Sequence, residues 1–137
     1  MTPKTHLAID PRLVGAPLDL GEGSASAFLV TTPEMAADER GLIHGGFVFG
    51  LADYAAMLAV NDPNVVLGGA ETRFLKPVRV GERLEARARI EETDGRKNRV
   101  KVEVLRDGST GEGNTGDIVM TGTFSCFTLD RHVFDRP

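Results

Sequence analysis

Gly45-Gly46-Phe47-Val48-Phe49-Gly50-Leu51-Ala52-Asp53-Tyr54-Ala55-Ala56-Met57-Leu58-Ala59-Val60 is the stretch from which the rest of the chain is read. Phe47, Leu51, Tyr54 and Leu58 are spaced by 4, 3 and 4 residues, one stripe of a 3.6-residue repeat, and alanines fill the flanks. The spacing predicts a helix from Gly45 to Val60. Its stop is Asn61-Asp62-Pro63, because proline disfavours helical geometry in the residue before it. Asp53 is the one charge inside a helix that is otherwise apolar nearly all round. Such a helix has to be enclosed, and the flanking sequence must supply the layer that covers it.

On its C-terminal side the period changes to two. Leu84, Ala86, Ala88 and Ile90 alternate with Arg83, Glu85, Arg87, Arg89 and Glu91, the pattern of a half-buried strand. Thr93-Asp94-Gly95-Arg96 carries an Asp-Gly hairpin signal, after which Val100, Val102 and Val104 alternate with Arg99, Lys101 and Glu103. These two strands are expected to pair antiparallel. A strand over residues 65–75, a Gly-rich loop over 108–116 and a last strand over 118–129 complete this side. Upstream of the helix, residues 24–30 read as a first strand and 31–41 as a polar connection. Residues 1–22, with Pro3, Pro11 and Pro17, read as an irregular or briefly helical lead-in. The order is strand, long helix, then four strands, which is α+β with an antiparallel sheet covered on one face.

The 137 residues fit one domain, and 41% hydrophobic with 26% charged residues are globular values. One cysteine, Cys126, excludes an internal disulfide, and no Cys/His cluster offers a zinc set. The opening residues hold no apolar run of signal-peptide length, and nothing reaches the roughly 18 uninterrupted apolar residues of a membrane span. A soluble, cytoplasmic protein is expected, with no membrane partner. The formal net charge of −4 argues against nucleic acid as a partner. The charge is nevertheless uneven: residues 73–106 hold 11 Lys/Arg against 6 Asp/Glu, whereas the remainder holds 5 against 14. That local excess fits either a solvated strand face or a surface for a small polyanion.

Gly111-Glu112-Gly113-Asn114-Thr115-Gly116 matches G-x-G-x-x-G but precedes a strand and opens no helix, so it reads as a hairpin loop. Walker, G-x-S-x-G and H-E-x-x-H motifs are absent. Cys126 shares a strand face with Phe124 and Met120 and reads as a small core residue. His6 and His132 are assigned nothing. What remains is His44-Gly45-Gly46 and Asp53. The glycines let another chain or a ligand approach the backbone, and the first amides of the helix lack intrahelical acceptors. Those donors, with the positive helix end, suit a developing oxyanion. Asp53 lies eight residues on, about 12 Å along the axis, so one helix cannot bring its own Gly45 amide and Asp53 carboxylate to one reacting group. Two antiparallel helices from two subunits could. Taken alone, Asp53 also reads as a carboxylate satisfied by a neighbour, and Gly45-Gly46 as close helix packing.

His44-Gly45-Gly46, Leu51-Ala52-Asp53 and Phe74-Leu75-Lys76-Pro77 together resemble the hotdog-fold acyl-CoA thioesterases, in particular the PaaI-like group of phenylacetyl-CoA and 4-hydroxybenzoyl-CoA thioesterases. The resemblance runs over residues 24–127. It implies a long helix wrapped by a five-stranded antiparallel sheet, with two active sites at a dimer interface. It further implies that the Gly45 amide polarises the thioester carbonyl, while Asp53 of the partner subunit is general base or nucleophile. Six residues before His44 such enzymes often carry Asn or Gln, where this chain has Asp38. Where they carry a hydroxyl residue it has Gly68-Gly69, with Thr72 near.

The resulting expectation is a homodimeric or homotetrameric acyl-CoA thioester hydrolase using no metal or redox cofactor, coenzyme A entering only as part of the substrate. Asp53, Gly45, His44 and Asp38 are the expected catalytic residues. Gly46, Phe47, Tyr54, Met57 and Thr72 are expected to line the substrate, with Phe49 a further candidate for the acyl pocket, and Arg96, Lys97 and Arg99 to bind its phosphates. A non-catalytic acyl-CoA-binding module and, with His44 and Asp53 as acid and base, a hotdog dehydratase or hydratase are the alternatives.

Overall fold

The computed structural model describes residues 1–107 and 117–135. One 16-residue helix, α1 (Gly45–Val60), lies across a six-stranded antiparallel sheet. In chain order the strands are β1 (Ala16–Gly21), β2 (Ser24–Val30), β3 (Val65–Phe74), β4 (Arg83–Asp94), β5 (Lys97–Arg106) and β6 (Ile118–Thr128). In space they run β1-β2-β4-β5-β6-β3, so the chain leaves α1 for the far edge and returns through the centre. This is the hotdog architecture expected from the sequence, with helix bounds as predicted.

The core forms where the two periods meet. Leu51, Met57 and Leu58 of α1 are fully enclosed, and so are Leu84 and Ala86 of β4, Val100 and Val104 of β5, and Phe124 and Cys126 of β6. Burying an aliphatic or aromatic side chain of this size contributes about 1.5–3 kcal/mol each, which is why period-two strands and a period-3.6 helix settle face to face. Asn61 closes the helix in the left-handed region (φ 51°), its N–H donating to the Met57 carbonyl at 2.8 Å. Asparagine tolerates that conformation, and Pro63 prevents continuation.

The sheet has one strand more than expected. Ala16–Gly21, inside the expected irregular lead-in, pairs with β2 through a two-residue turn at Glu22-Gly23, Gly23 having φ 73°. Pro17 argued against a strand, but β1 is an edge, and the pairing register breaks between Pro17 and Leu20. An edge strand tolerates the missing donor. The β4–β5 turn also differs by one residue: Asp94 pairs with Lys97, leaving Gly95-Arg96 as the two-residue loop, with φ 60° at Gly95. Glycine first in such a loop is the II′ pattern. The residue 111–116 motif lies outside the described residues.

Candidate functional site

The helix start is built by its neighbours. Ile43 N–H donates to the Val78 carbonyl at 2.8 Å and His44 N–H to the Met35 carbonyl at 2.9 Å, which pin the residues before the first turn between two other segments. His44 is extended at the N-cap (φ −63°, ψ 129°), makes no side-chain cap, and lets its exposed imidazole fold over Gly46. A Cβ at Gly46 would lie 3.0 Å from His44 Cδ2 and Nε2. At Gly45 the corresponding neighbour is the Phe74 ring, at 3.4 Å. What stands beside the two glycines is an aromatic ring of this chain in each case, the exposed His44 imidazole at Gly46 and, at ordinary contact distance, Phe74 at Gly45. The amides of Gly45 and Gly46, in the first turn, have no intrahelical acceptor.

Beside Gly45 is a groove of about 290 Å³ whose walls include Ile43, Val48, Phe74, Leu75, Pro77 and Val119. Leu75 N–H donates to the Val119 carbonyl at 2.8 Å, holding the Phe74-Leu75-Lys76-Pro77 segment against the sheet. Phe74 and Leu75 remain about half exposed.

Asp53 sits half-buried on α1, on the same side as Gly46 and Gly50, and a Cβ at Gly50 would meet nothing within 4 Å. Its Oδ1 is buried without a hydrogen-bond partner. Burial raises its pKa to about 6, since the charged form loses water without gaining a counter-ion. The Cys126 thiol is pushed up to about 12 by its own burial and then by the Asp53 charge. Cys126 is therefore an inert core residue, as read from its strand position. Asp53 lies at the Cys126 level of β6, whereas Gly45 touches Phe74, which pairs with Met120. The two groups are eight residues apart on α1, about 12 Å along its axis.

The other expected site residues divide. Phe47 is half-buried near the helix start, its ring edge-on to His44 at 6.2 Å between centroids. Phe49 packs on Phe124 at 5.4 Å. Met57 is fully buried and Tyr54 nearly so, with the His6 ring 6.3 Å from the latter. Both belong to the core, and neither is among the residues lining the Gly45 groove. His6 and His132 do have partners: His6 Nδ1 lies 2.7 Å from Thr5 Oγ1, and His132 Nδ1 accepts from Phe134 N–H at 3.0 Å. Thr72 faces the helix side of β3, its methyl 2.9 Å from where a Gly122 Cβ would stand.

Asp38 is engaged locally. Its Oδ1 accepts from the Arg40 and Leu42 amides at 3.0 and 3.2 Å, and Gly41 between them has φ 82°. We assign Asp38 to bracing this turn; an aspartate is suited to it because it can accept two amides at once. At position 68 the reason for glycine is steric, since a Cβ would lie 2.3 Å from Phe127 Cε2. The three basic residues of the β4–β5 hairpin differ in their partners. Lys97 and Arg99 share the outer sheet face, Arg99 pairs with Glu92 at 3.0 Å, and Arg96 instead donates to the Thr128 carbonyl at 3.2 Å. Among the described residues no three His, Cys, Asp or Glu side chains converge as a metal set, and no helix is long and apolar enough to cross a membrane.

Residues 40–112 match the model of the thioesterase superfamily. The chain is 50% identical to the uncharacterized protein PH1136 of Pyrococcus horikoshii, whose crystal structure superposes with TM-score 0.91 over 98% of both chains. It is 30% identical to a mutant of the phenylacetic acid degradation protein PaaI of Thermus thermophilus, with TM-score 0.73 over 85% of this chain and 95% of that one. Methylthioribose-1-phosphate isomerase of Aquifex aeolicus is 52% identical over 103 residues, 75% of this chain. The chain spans only 23% of that relative's length. With more than half of its residues in the family match and the hotdog architecture described above, the chain belongs to the thioesterase superfamily.

Proposed function

We propose that this protein is an acyl-CoA thioesterase whose site is completed by a second subunit. The observation that carries the reading is Asp53: a carboxylate with a buried, unpartnered oxygen on an otherwise apolar helix, in a chain of this superfamily. Leaving such an acceptor unmade costs about 1–3 kcal/mol, a cost that is offset once a substrate, a water or another chain supplies the donor. Its own Gly45 is out of reach on the same helix, so a partner subunit packed antiparallel supplies the complementary half.

The thioester carbonyl oxygen accepts from the Gly45 amide, which stabilises the negative charge that develops there. Asp53 of the partner subunit takes a proton from water as the water oxygen bonds to the carbonyl carbon. The carbon–sulfur bond then breaks, coenzyme A leaves as the thiol after taking up a proton, and the acid is released. Asp53 can also attack the carbonyl directly, breaking the carbon–sulfur bond and expelling the coenzyme A thiolate, which takes up a proton; water then cleaves the resulting mixed anhydride to release the acid and restore the Asp53 carboxylate. No electron changes hands in either route, so no redox cofactor is invoked.

The test is a panel of acyl-CoA esters with thiol detection, run on the parent and on Asp53→Asn. A folded variant should lose at least about 10²-fold in kcat, the low end for acid–base catalysis. Because Asp53 must be ionised, kcat/KM of the parent should rise with pH and level off above about 6. Ligand binding without thiol release in the parent would favour the non-catalytic module, and a change in enoyl absorbance the hydratase.

A further inference from the structure

We propose that the groove beside Gly45 is the acyl subsite and that it selects uncharged, apolar acyl groups of medium length over acetyl and over acyl groups ending in a carboxylate. The inference rests on the thioesterase reading for its orientation and on the groove itself for its selectivity. A carbonyl held by the Gly45 amide has two substituents, the acyl chain and the sulfur arm, which must leave in different directions. One direction is the groove, which Gly45 itself helps to line. Its walls of Ile43, Val48, Leu75, Pro77 and Val119 offer side chains with no donor or acceptor. The sulfur arm of coenzyme A contains two amides and ends in phosphates. Burying an amide with no hydrogen-bond partner is unfavourable, and phosphates need cations, so this arm is the wrong occupant. The Arg96 and Lys97 cations are at the β4–β5 turn, which meets β6 at Phe127 and Thr128, toward the Asp53 end. In an antiparallel helix pair that end of the partner lies beside this Gly45, which leaves the groove to the acyl chain.

The one charge lining the groove, Lys76, is already neutralised. Its Nζ lies 3.2 Å from Asp117 Oδ1, and Arg106 Nη2 donates to the other oxygen of the same carboxylate at 3.1 Å. Arg106 also donates to the Pro77 carbonyl at 2.7 Å, so the ion-paired network and the groove wall are fixed together. Lys76 thus presents its aliphatic stem to the groove while its ammonium stays at the rim. A terminal carboxylate entering here would lose water and find no unpaired cation. At about 290 Å³ the groove holds roughly nine to ten water-sized groups, far more than an acetyl methyl fills. Each further methylene buried should improve binding about fourfold, so hexanoyl should exceed acetyl by about 10²-fold in kcat/KM until the groove is full. Succinyl should fall at least as far below hexanoyl.

Two readouts separate this inference from the reading on which it rests. The first is kcat/KM for acetyl-, hexanoyl- and succinyl-CoA. The second is the affinity of non-hydrolysable S-hexyl-CoA, S-(3-carboxypropyl)-CoA and free coenzyme A, by calorimetry, which needs no turnover. A strong hexyl preference in affinity without hydrolysis of any ester would sustain the subsite and overturn the catalytic reading. Equal affinity of the hexyl and carboxypropyl thioethers would overturn the subsite whatever the enzyme hydrolyses. Phe74→Ala, at an exposed position where folding is not at stake, locates the effect: it should cut the hexyl preference about tenfold and leave coenzyme A affinity unchanged. An equal loss on all three ligands would place the selectivity elsewhere.

Discussion

Asp53 carries opposing consequences for stability and for activity. With its pKa raised from 3.8 to about 6 in the folded chain, it binds a proton more tightly when folded than when unfolded. The folded state is therefore favoured by this group at acid pH and penalised as pH rises from about 4 through about 6, by up to about 3 kcal/mol once the carboxyl is ionised. Asp53→Asn removes the penalty. Thermal melts should show the variant several degrees more stable than the parent above pH 6, with the difference gone below pH 4. A variant no more stable at neutral pH would mean that the ionised carboxylate is satisfied in solution. The sequence made Asp53 legible because it is the lone charge in α1, and His44-Gly45-Gly46 legible because two glycines begin a helix. It could not show that Asp38 is engaged by the Arg40 and Leu42 amides, since a turn-bracing aspartate and a substrate-facing one look alike in a string of letters.

Among the elements, α1 and the β4–β5 hairpin were readable because their periodicity is local and strong. β1 was not: although only a two-residue turn separates it from β2, Pro17 within it reads as a strand breaker and its own pattern carries no strict alternation. That Met57 and Tyr54 are core residues was not readable, for a related reason. Periodicity says which residues share a helix face but not which face meets the sheet, and α1 is apolar on nearly every side. Gly68 was read as a missing hydroxyl, whereas the element explains it by the Phe127 ring beside it at an irregular point of the β3–β6 ladder. Gly68→Ser should accordingly destabilise the chain by about 1–3 kcal/mol in denaturant titration, the usual cost of overpacking. Adding Phe127→Ala should recover part of that loss. Additive losses in the double variant would show that the ring is not the obstacle.

For the molecule as a whole, the single chain holds each half of the proposed site once and cannot join them. The Gly45 groove is at the Phe74 end, Asp53 is at the Cys126 end, and Gly50 between them leaves open space on the helix. A two-fold dimer with antiparallel helices would create two identical sites, each with one chain's Gly45 and the other's Asp53. The most direct test of the account is therefore complementation between two inactive subunits, Asp53→Asn and Gly45→Val, mixed in equal amounts under conditions of verified subunit exchange. Half of the dimers should be mixed, and each mixed dimer should contain one intact site, so thiol release should recover to about a quarter of the parent rate. No recovery, with exchange demonstrated, would contradict a site shared between subunits.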